Sequence, residues 1–140
     1  MQTFLPYADF ITSASVLDRE RLGKQRVETL QILYALTQGS GWVHHPITKM
    51  WRGYEPALVQ YGFVICDEWI SRGYKDTVRE KLESILSGLP SQDVVLPHWL
   101  GDIELHQSHR SNLLRKDALF YSQYGWTEPN DLEYKWILPT

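Results

Sequence analysis

The chain has 140 residues, 43% apolar and 22% charged, with a net charge of −3 and a single cysteine. That length suits one domain around one main core, and the composition argues against disorder. The acidic balance excludes a global basic field for coating nucleic acid, the lone Cys66 excludes an internal disulfide or a thiol zinc cluster, and no apolar run approaches a membrane span.

The N-terminus, MQTFLPYADF, lacks a basic leader followed by an apolar stretch, so a cytoplasmic protein is expected. Ser13 is expected to cap a long first helix running to about Leu36, closed by the glycine-bearing turn from Gln38 to Gly41. A second helix begins around Glu55 and Pro56 and continues to Ser71. Leu58, Val59, Phe63, Ile65, Cys66, Trp69 and Ile70 cover most of its circumference, which marks it as the central helix. Thr77 and Glu80 form a capping-box pattern ahead of a short amphipathic helix that Gly88 stops. LPSQDVVLPHWLGD reads as a loop, helical spacing returns from about Leu105 to Tyr124, and the tail WTEPNDLEYKWILPT is irregular. Without an alternating strand pair or a repeat, the expected fold is all-α: one compact domain, residues 1–140, of about four helices with long ordered loops.

Polar residues interrupt two of the apolar faces. At about 100° per residue, Val16, Leu22, Val27, Leu30, Leu33 and Tyr34 form an arc on the first helix whose middle holds Arg19, Gly23 and Arg26. Glu20, Lys24, Gln25 and Glu28 turn to the sides or back. On the last helix His106, Arg110 and Asp117 share the arc of Leu113, Leu114, Phe120, Tyr121 and Tyr124, while Asn112, Arg115 and Lys116 lie away from it or at its edge. An unpaired guanidinium in a dry interior is too costly to keep. Either carboxylates such as Asp117, Glu55 or Glu20 pair with these arginines, or the first and last helices enclose an anion-accepting pocket for phosphate or nucleotide.

The linker GWVHHPITKMWRGYE concentrates a third group. Lys49 and Arg52 suit phosphates, Trp51 and Tyr54 suit stacking on an unpaired base, and Glu55 at a helix start suits a general acid or base. The plainer alternative makes the two aromatics core anchors and lets His44 and His45 cap a turn. His106 and His109 with His44 or His45 lack a metal-protease helix motif or thiol partners, so neither metal nor cofactor is expected.

LDRERLGKQRVE, HHPITKMWRGYE, EWISRGYKD and HWLGDIELHQSHRSNLLRKD together resemble the pyrimidine-dimer DNA glycosylases of the bacteriophage endonuclease V type, closest to short bacterial and phage members. The resemblance implies an all-α glycosylase/lyase whose N-terminal α-amine attacks the sugar C1′, assisted by a glutamate in the first helix, with nearby arginines on DNA phosphates. Arg26 falls on one such arginine and Glu20 finds a counterpart, but Gly23 falls on the catalytic glutamate and Gln2 on the small threonine that carries the amine, which leaves Met1 as the amine's owner.

Three functions follow from these readings. The first is a glycosylase that flips a damaged or modified base into an interhelical pocket. There Met1, Glu55, His106 and His109 would be catalytic. Arg19, Arg26, Lys49, Arg52, Arg110, Arg115 and Lys116 would hold DNA, Trp51 and Tyr54 would stack, and Glu20, Gly23, His44, His45, Asn112 and Asp117 would line the pocket. The others are a non-catalytic nucleotide or modified-DNA binding module, and a structural domain with its arginines in salt bridges.

Overall fold

Aspartate carboxylates decide where the helices begin. In the computed structural model, which describes residues 1–139, Asp9, Asp18 and Asp102 accept hydrogen bonds from the amides of Thr12, Arg21 and Leu105 and start helices α1 (Phe10–Ser15), α2 (Arg19–Gln38) and α6 (Ile103–Lys116). Each carboxylate satisfies one of the amides that a helix start leaves without an internal partner. The single helix expected from Ser13 is therefore two. Ser13 is instead buried inside α1, where its hydroxyl exchanges hydrogen bonds with the backbone of Tyr7.

Pro46 opens a short helix, α3 (Pro46–Trp51), within the segment expected to be a linker. Helix α4 (Glu55–Ser71) has the expected bounds and packs against α2, α1 and α5 (Arg79–Gly88). Ile70 nevertheless faces solvent, so the apolar wrapping of α4 is not complete. Helix α5 starts without the expected Thr77–Glu80 box, and Asp76 accepts from the Arg79 amide instead. The last expected helix breaks at Asp117, whose carboxylate accepts from the Phe120 amide to start α7 (Ala118–Tyr121), followed by a 3-10 turn over Ser122–Tyr124. Among the described residues the fold is all-helical, with seven α-helices rather than about four. Four of them, α2, α4, α5 and α6, have ten or more residues.

Leu22, Ile32, Leu33, Leu58, Ile65 and Leu82 are fully buried where α2, α4 and α5 meet, each stabilising the fold by roughly 1.5–3 kcal/mol. Gly62 permits that contact: a Cβ there would lie 2.7 Å from Leu82 Cδ1 and 3.1 Å from Thr29 Cγ2. The buried face of α2 is Leu22, Gln25, Thr29, Leu30, Ile32 and Leu33, so the helix is rotated from the expected arc. Arg19 and Val27 are exposed, and Gln25, expected at the side or back, is 1% exposed.

Candidate functional site at the N-terminal segment

Residues 2–6 are buried without belonging to any helix or strand, so their backbone groups need other partners. Side chains supply them from two sides. From α2, Glu28 accepts from the Gln2 amide (3.2 Å), while Gln25 donates to the Gln2 carbonyl (2.8 Å) and accepts from the Phe4 amide (2.9 Å). Tyr61 of α4 donates to the Phe4 carbonyl (2.8 Å) and to Gln25 (2.7 Å). From α6, His109 Nδ1 accepts from the Leu5 amide (2.8 Å), His106 Nδ1 meets the Leu5 carbonyl (2.7 Å) and Arg110 donates to the Pro6 carbonyl (2.6 Å). The segment thus lies between the first long helix and the last one, filling the space where an anion pocket was expected.

The α6 side of this clamp is dry and closed. His106 Nε2 accepts from the Gly101 amide (2.9 Å), so the proton sits on Nδ1 and faces Leu5, and neither nitrogen is free. Burial pushes His109 down to about 3, with smaller contributions from the neighbouring His106 and Arg110. His106 is lowered for the same leading reason, although its bond to Leu5 opposes the shift. Both rings are neutral at physiological pH and hold the chain rather than facing a ligand.

The α2 side is open. Glu28 and Met1 are half-buried, and Glu28 sits one peptide unit from the α-amine. Within electrostatic reach of both is His45, whose Nδ1 accepts from the Ile47 amide (3.0 Å). Burial and then the positive α-amine push His45 below its ordinary range, against an opposing pull from Glu28. The amine, the carboxylate and the imidazole therefore share one electrostatic neighbourhood. An aromatic row borders it: Trp42 and Trp136 stand nearly perpendicular to His45 at 5.7 and 5.6 Å, and Tyr134 follows at 5.6 Å from Trp136. Burial pushes Tyr134 up to about 12, with Arg115 and Arg21 pulling it down and Glu28 pushing it up.

The residues singled out from the sequence fall in several places. Arg19 is exposed rather than inward, and it lines a groove of about 480 Å³ with Glu20, Gly23, Lys24, Val27, Glu28 and Trp69. Arg26 is half-buried, paired with Asp76 (2.6 Å) and lying 4.5 Å from the Trp69 ring. Arg110 is held by Glu128 through two bonds (2.8 and 3.1 Å). The three arginines expected to converge on an anion are thus dispersed, and Arg26 and Arg110 have carboxylate partners outside the set expected for them. Asn112, expected off the core, is 2% exposed and donates to Ser108 and Leu132 carbonyls. Asp117 is a helix cap.

Trp51 is fully buried and its indole donates to Thr3 (3.1 Å), which makes it the core anchor of the plainer alternative and leaves no face for a base. Tyr54 and Glu55 lie elsewhere, in a groove of about 750 Å³ with Leu36, Leu89 and Asp93. Tyr54 bonds His98 (3.0 Å) and Glu55 accepts from the Gly53 amide (3.1 Å). His44, Lys49, Arg52, Arg115 and Lys116 are exposed.

Sequence reasoning passed over Glu28, Gln25, Trp42, Tyr134 and Trp136. The signal available for the first two was their i, i+3 spacing, which puts both carbonyl-bearing side chains on one edge of α2. No group of three His, Cys, Asp or Glu suited to a metal ion occurs among the described residues.

A family model described as pyrimidine dimer DNA glycosylase matches residues 1–82, which carry the N-terminal segment, α2, α3 and α4. No curated protein and no solved structure matches the chain.

Proposed function

Because the chain belongs to the pyrimidine dimer DNA glycosylase family, we propose that it excises a damaged pyrimidine from DNA with the Met1 α-amine as nucleophile and Glu28 as its proton acceptor. The observation that carries this reading is the placement of Glu28, a half-buried carboxylate bonded to the Gln2 amide and so one residue from the amine. Gly23, at the position where the resemblance sets a glutamate, points toward the Trp69 ring, 3.1 Å from where its Cβ would be. Glu28 lies further along the same helix and supplies the carboxylate from there.

The amine lone pair attacks C1′ of the damaged nucleotide, forming an N–C1′ bond as the bond from C1′ to the base breaks and the base leaves with that electron pair. Glu28 takes the proton that the amine nitrogen gives up. Opening of the sugar ring then yields an iminium. Loss of a C2′ proton from it expels the 3′ phosphate, which is the lyase step. An α-amine suits this role because it is ordinarily far less basic than a lysine. The rigid seam from Gln2 to Pro6 fixes where the amine stands, so little entropy is lost in bringing it to the sugar.

The substrate face is the open one. Trp42 and Trp136 border it, Arg19 and Lys24 line the groove that Glu28 shares, and these two cations, like the exposed Lys49, Arg52 and Lys116, form no ion pair among the described residues, which leaves them free for phosphates despite the net charge of −3. Such a chain binds DNA through local contacts, so its affinity falls with added salt.

Borohydride reduction of the protein mixed with a duplex carrying a thymine dimer or an abasic site tests the reading. The expected result is a covalent protein–DNA adduct that maps by mass spectrometry to Met1 and disappears when a single glycine precedes Met1. An adduct at a lysine, or an undiminished adduct in the extended protein, overturns it. Binding without any adduct points instead to a non-catalytic module on this fold.

A further inference from the structure

We propose that His45 is a catalytic hydrogen-bond donor of this site, its Nε2–H directed at a carbonyl oxygen of the departing base. The assignment rests on the glycosylase reading above and adds to it the group that stabilises the charge left on the base.

The geometry fixes what this imidazole can do. Its Nδ1 accepts from the Ile47 amide at the start of α3, so in the neutral ring the proton resides on Nε2. Trp42 and Trp136 stand nearly perpendicular to it, both at 84° and within 5.7 Å, and together with the Ile47 bond they restrict rotation of the ring and so the direction of Nε2. An Nε2–H has no lone pair to take the amine's proton and cannot bond to an ammonium. The Gln2 amide (3.2 Å) and Gln25 Nε2 (3.4 Å) both meet Glu28 at Oε2, and no hydrogen bond joins His45 Nε2 to Glu28 or to another acceptor among the described residues. What remains for Nε2–H is an acceptor that arrives with substrate.

A pyrimidine base brings one. When its bond to C1′ breaks, negative charge spreads onto the carbonyl oxygens, and a fixed donor in a half-buried setting stabilises that charge more than it stabilises the intact base. No proton need cross in that step, so a neutral imidazole suffices. Burial and the neighbouring amine both keep the ring neutral. The aromatic edges add surface on which the base can rest while it leaves.

His45→Asn tests the role without dismantling α3, because asparagine is a good N-cap whose side-chain oxygen can accept from the Ile47 amide. Cleavage of the C1′–base bond in a dimer-containing duplex is expected to slow about 100-fold, whereas borohydride trapping on a pre-formed abasic site, which has no such bond to break, stays near the parent rate. Equal losses on both substrates would show that His45 serves the amine, and an unchanged rate of C1′–base bond cleavage would show that it serves only as a cap. Either result overturns the proposal. A second readout stands apart from imine chemistry: the Nε2–H resonance of 15N-labelled His45 should shift on binding a duplex with a 2′-fluorinated, uncleavable dimer and not with undamaged duplex. If the parent protein forms no adduct at all, the nucleophile assignment fails while this resonance still decides the fate of His45, and a resonance that does not move sinks it.

Discussion

Helices α2 and α6 grip the same short segment from opposite sides, and they do so with opposite consequences. On α6, His106, His109 and Arg110 are spent on the Leu5 and Pro6 backbone, with Glu128 closing off the arginine. On α2, Gln25 is equally committed, but Glu28 touches the N-terminal segment only at Gln2 and remains half-exposed, one residue from the amine. A histidine–arginine cluster that looks like catalytic machinery is bonded here to backbone, and in the proposed reading an unremarkable glutamate at the helix edge takes the chemical end. Inward polar residues show only that something polar lies inside, and a stretch of backbone meets that requirement as well as a ligand does.

The sharpest way to test that contrast is to remove one group from each side. Glu28→Gln keeps an acceptor for the Gln2 amide but no longer takes a proton, so adduct formation is expected to drop roughly 100- to 10,000-fold, with the unfolding midpoint close to that of the parent. A comparable fall in stability would place Glu28 with the fasteners. His109→Ala should do the reverse. It leaves the Leu5 amide unpaired and a cavity against Phe4 and Tyr134, and it should cost about 3 kcal/mol of unfolding free energy. The loss of activity that follows should track the unfolded fraction. A folded His109→Ala protein that still cannot form an adduct would return the histidine to the chemistry.

The pH dependence of stability checks the α6 side through the difference between the parent and His109→Ala, because His45 on the open side is lowered by burial as well. His109 has a folded value of about 3 against an ordinary 6.5, and His106 is also lowered. In the intervening window the unfolded chain binds protons that the folded chain refuses, so the stabilisation is complete above about pH 6.5 and is lost as pH falls toward 3. Each histidine contributes a slope of up to about 1.4 kcal/mol per pH unit. Denaturant titrations between about pH 6.5 and 4.5, above the range where Asp9, Asp76 and Asp102 take up protons, should show that slope, and His109→Ala should lose part of it. A flat profile in the parent would mean that the clamp carries charge.

How far the sequence reveals this arrangement depends on what its residues do locally. Helix α4 is legible to the residue because its apolar positions and Pro56 act through the helix itself. The end of α2 is legible from its glycines for the same reason. The rotation of α2 is not, because Gln25 faces inward to serve a segment more than twenty residues away and Thr29 faces inward against Gly62 of α4, and a hydropathy wheel scores both as outward. Helix α3 is missed because six residues are too few for periodicity to register. The row formed by Trp42, His45, Trp136 and Tyr134 assembles residues more than ninety positions apart, so no local pattern marks it.

The smallest expected effect concerns Gly23, where an added side chain should gain nothing. In the interior of a helix, alanine usually gains about 1 kcal/mol over glycine. At this position the new Cβ would stand 3.1 Å from two carbons of the Trp69 ring, and that ring is held on several sides: its indole donates to the Lys75 carbonyl (2.9 Å), Tyr74 stacks on it at 4.3 Å and the Arg26 guanidinium lies 4.5 Å from its centre. A ring so held cannot give way cheaply, so Gly23→Ala is expected to unfold at or below the parent midpoint. For the same reason Gly23→Glu should not rescue Glu28→Gln, since its side chain sets out toward Trp69. A rise in stability by the full helix-propensity gain, or rescue of adduct formation by the glutamate, would show that Trp69 swings aside and that position 23 can reach the amine, which would shift the proton acceptor off residue 28.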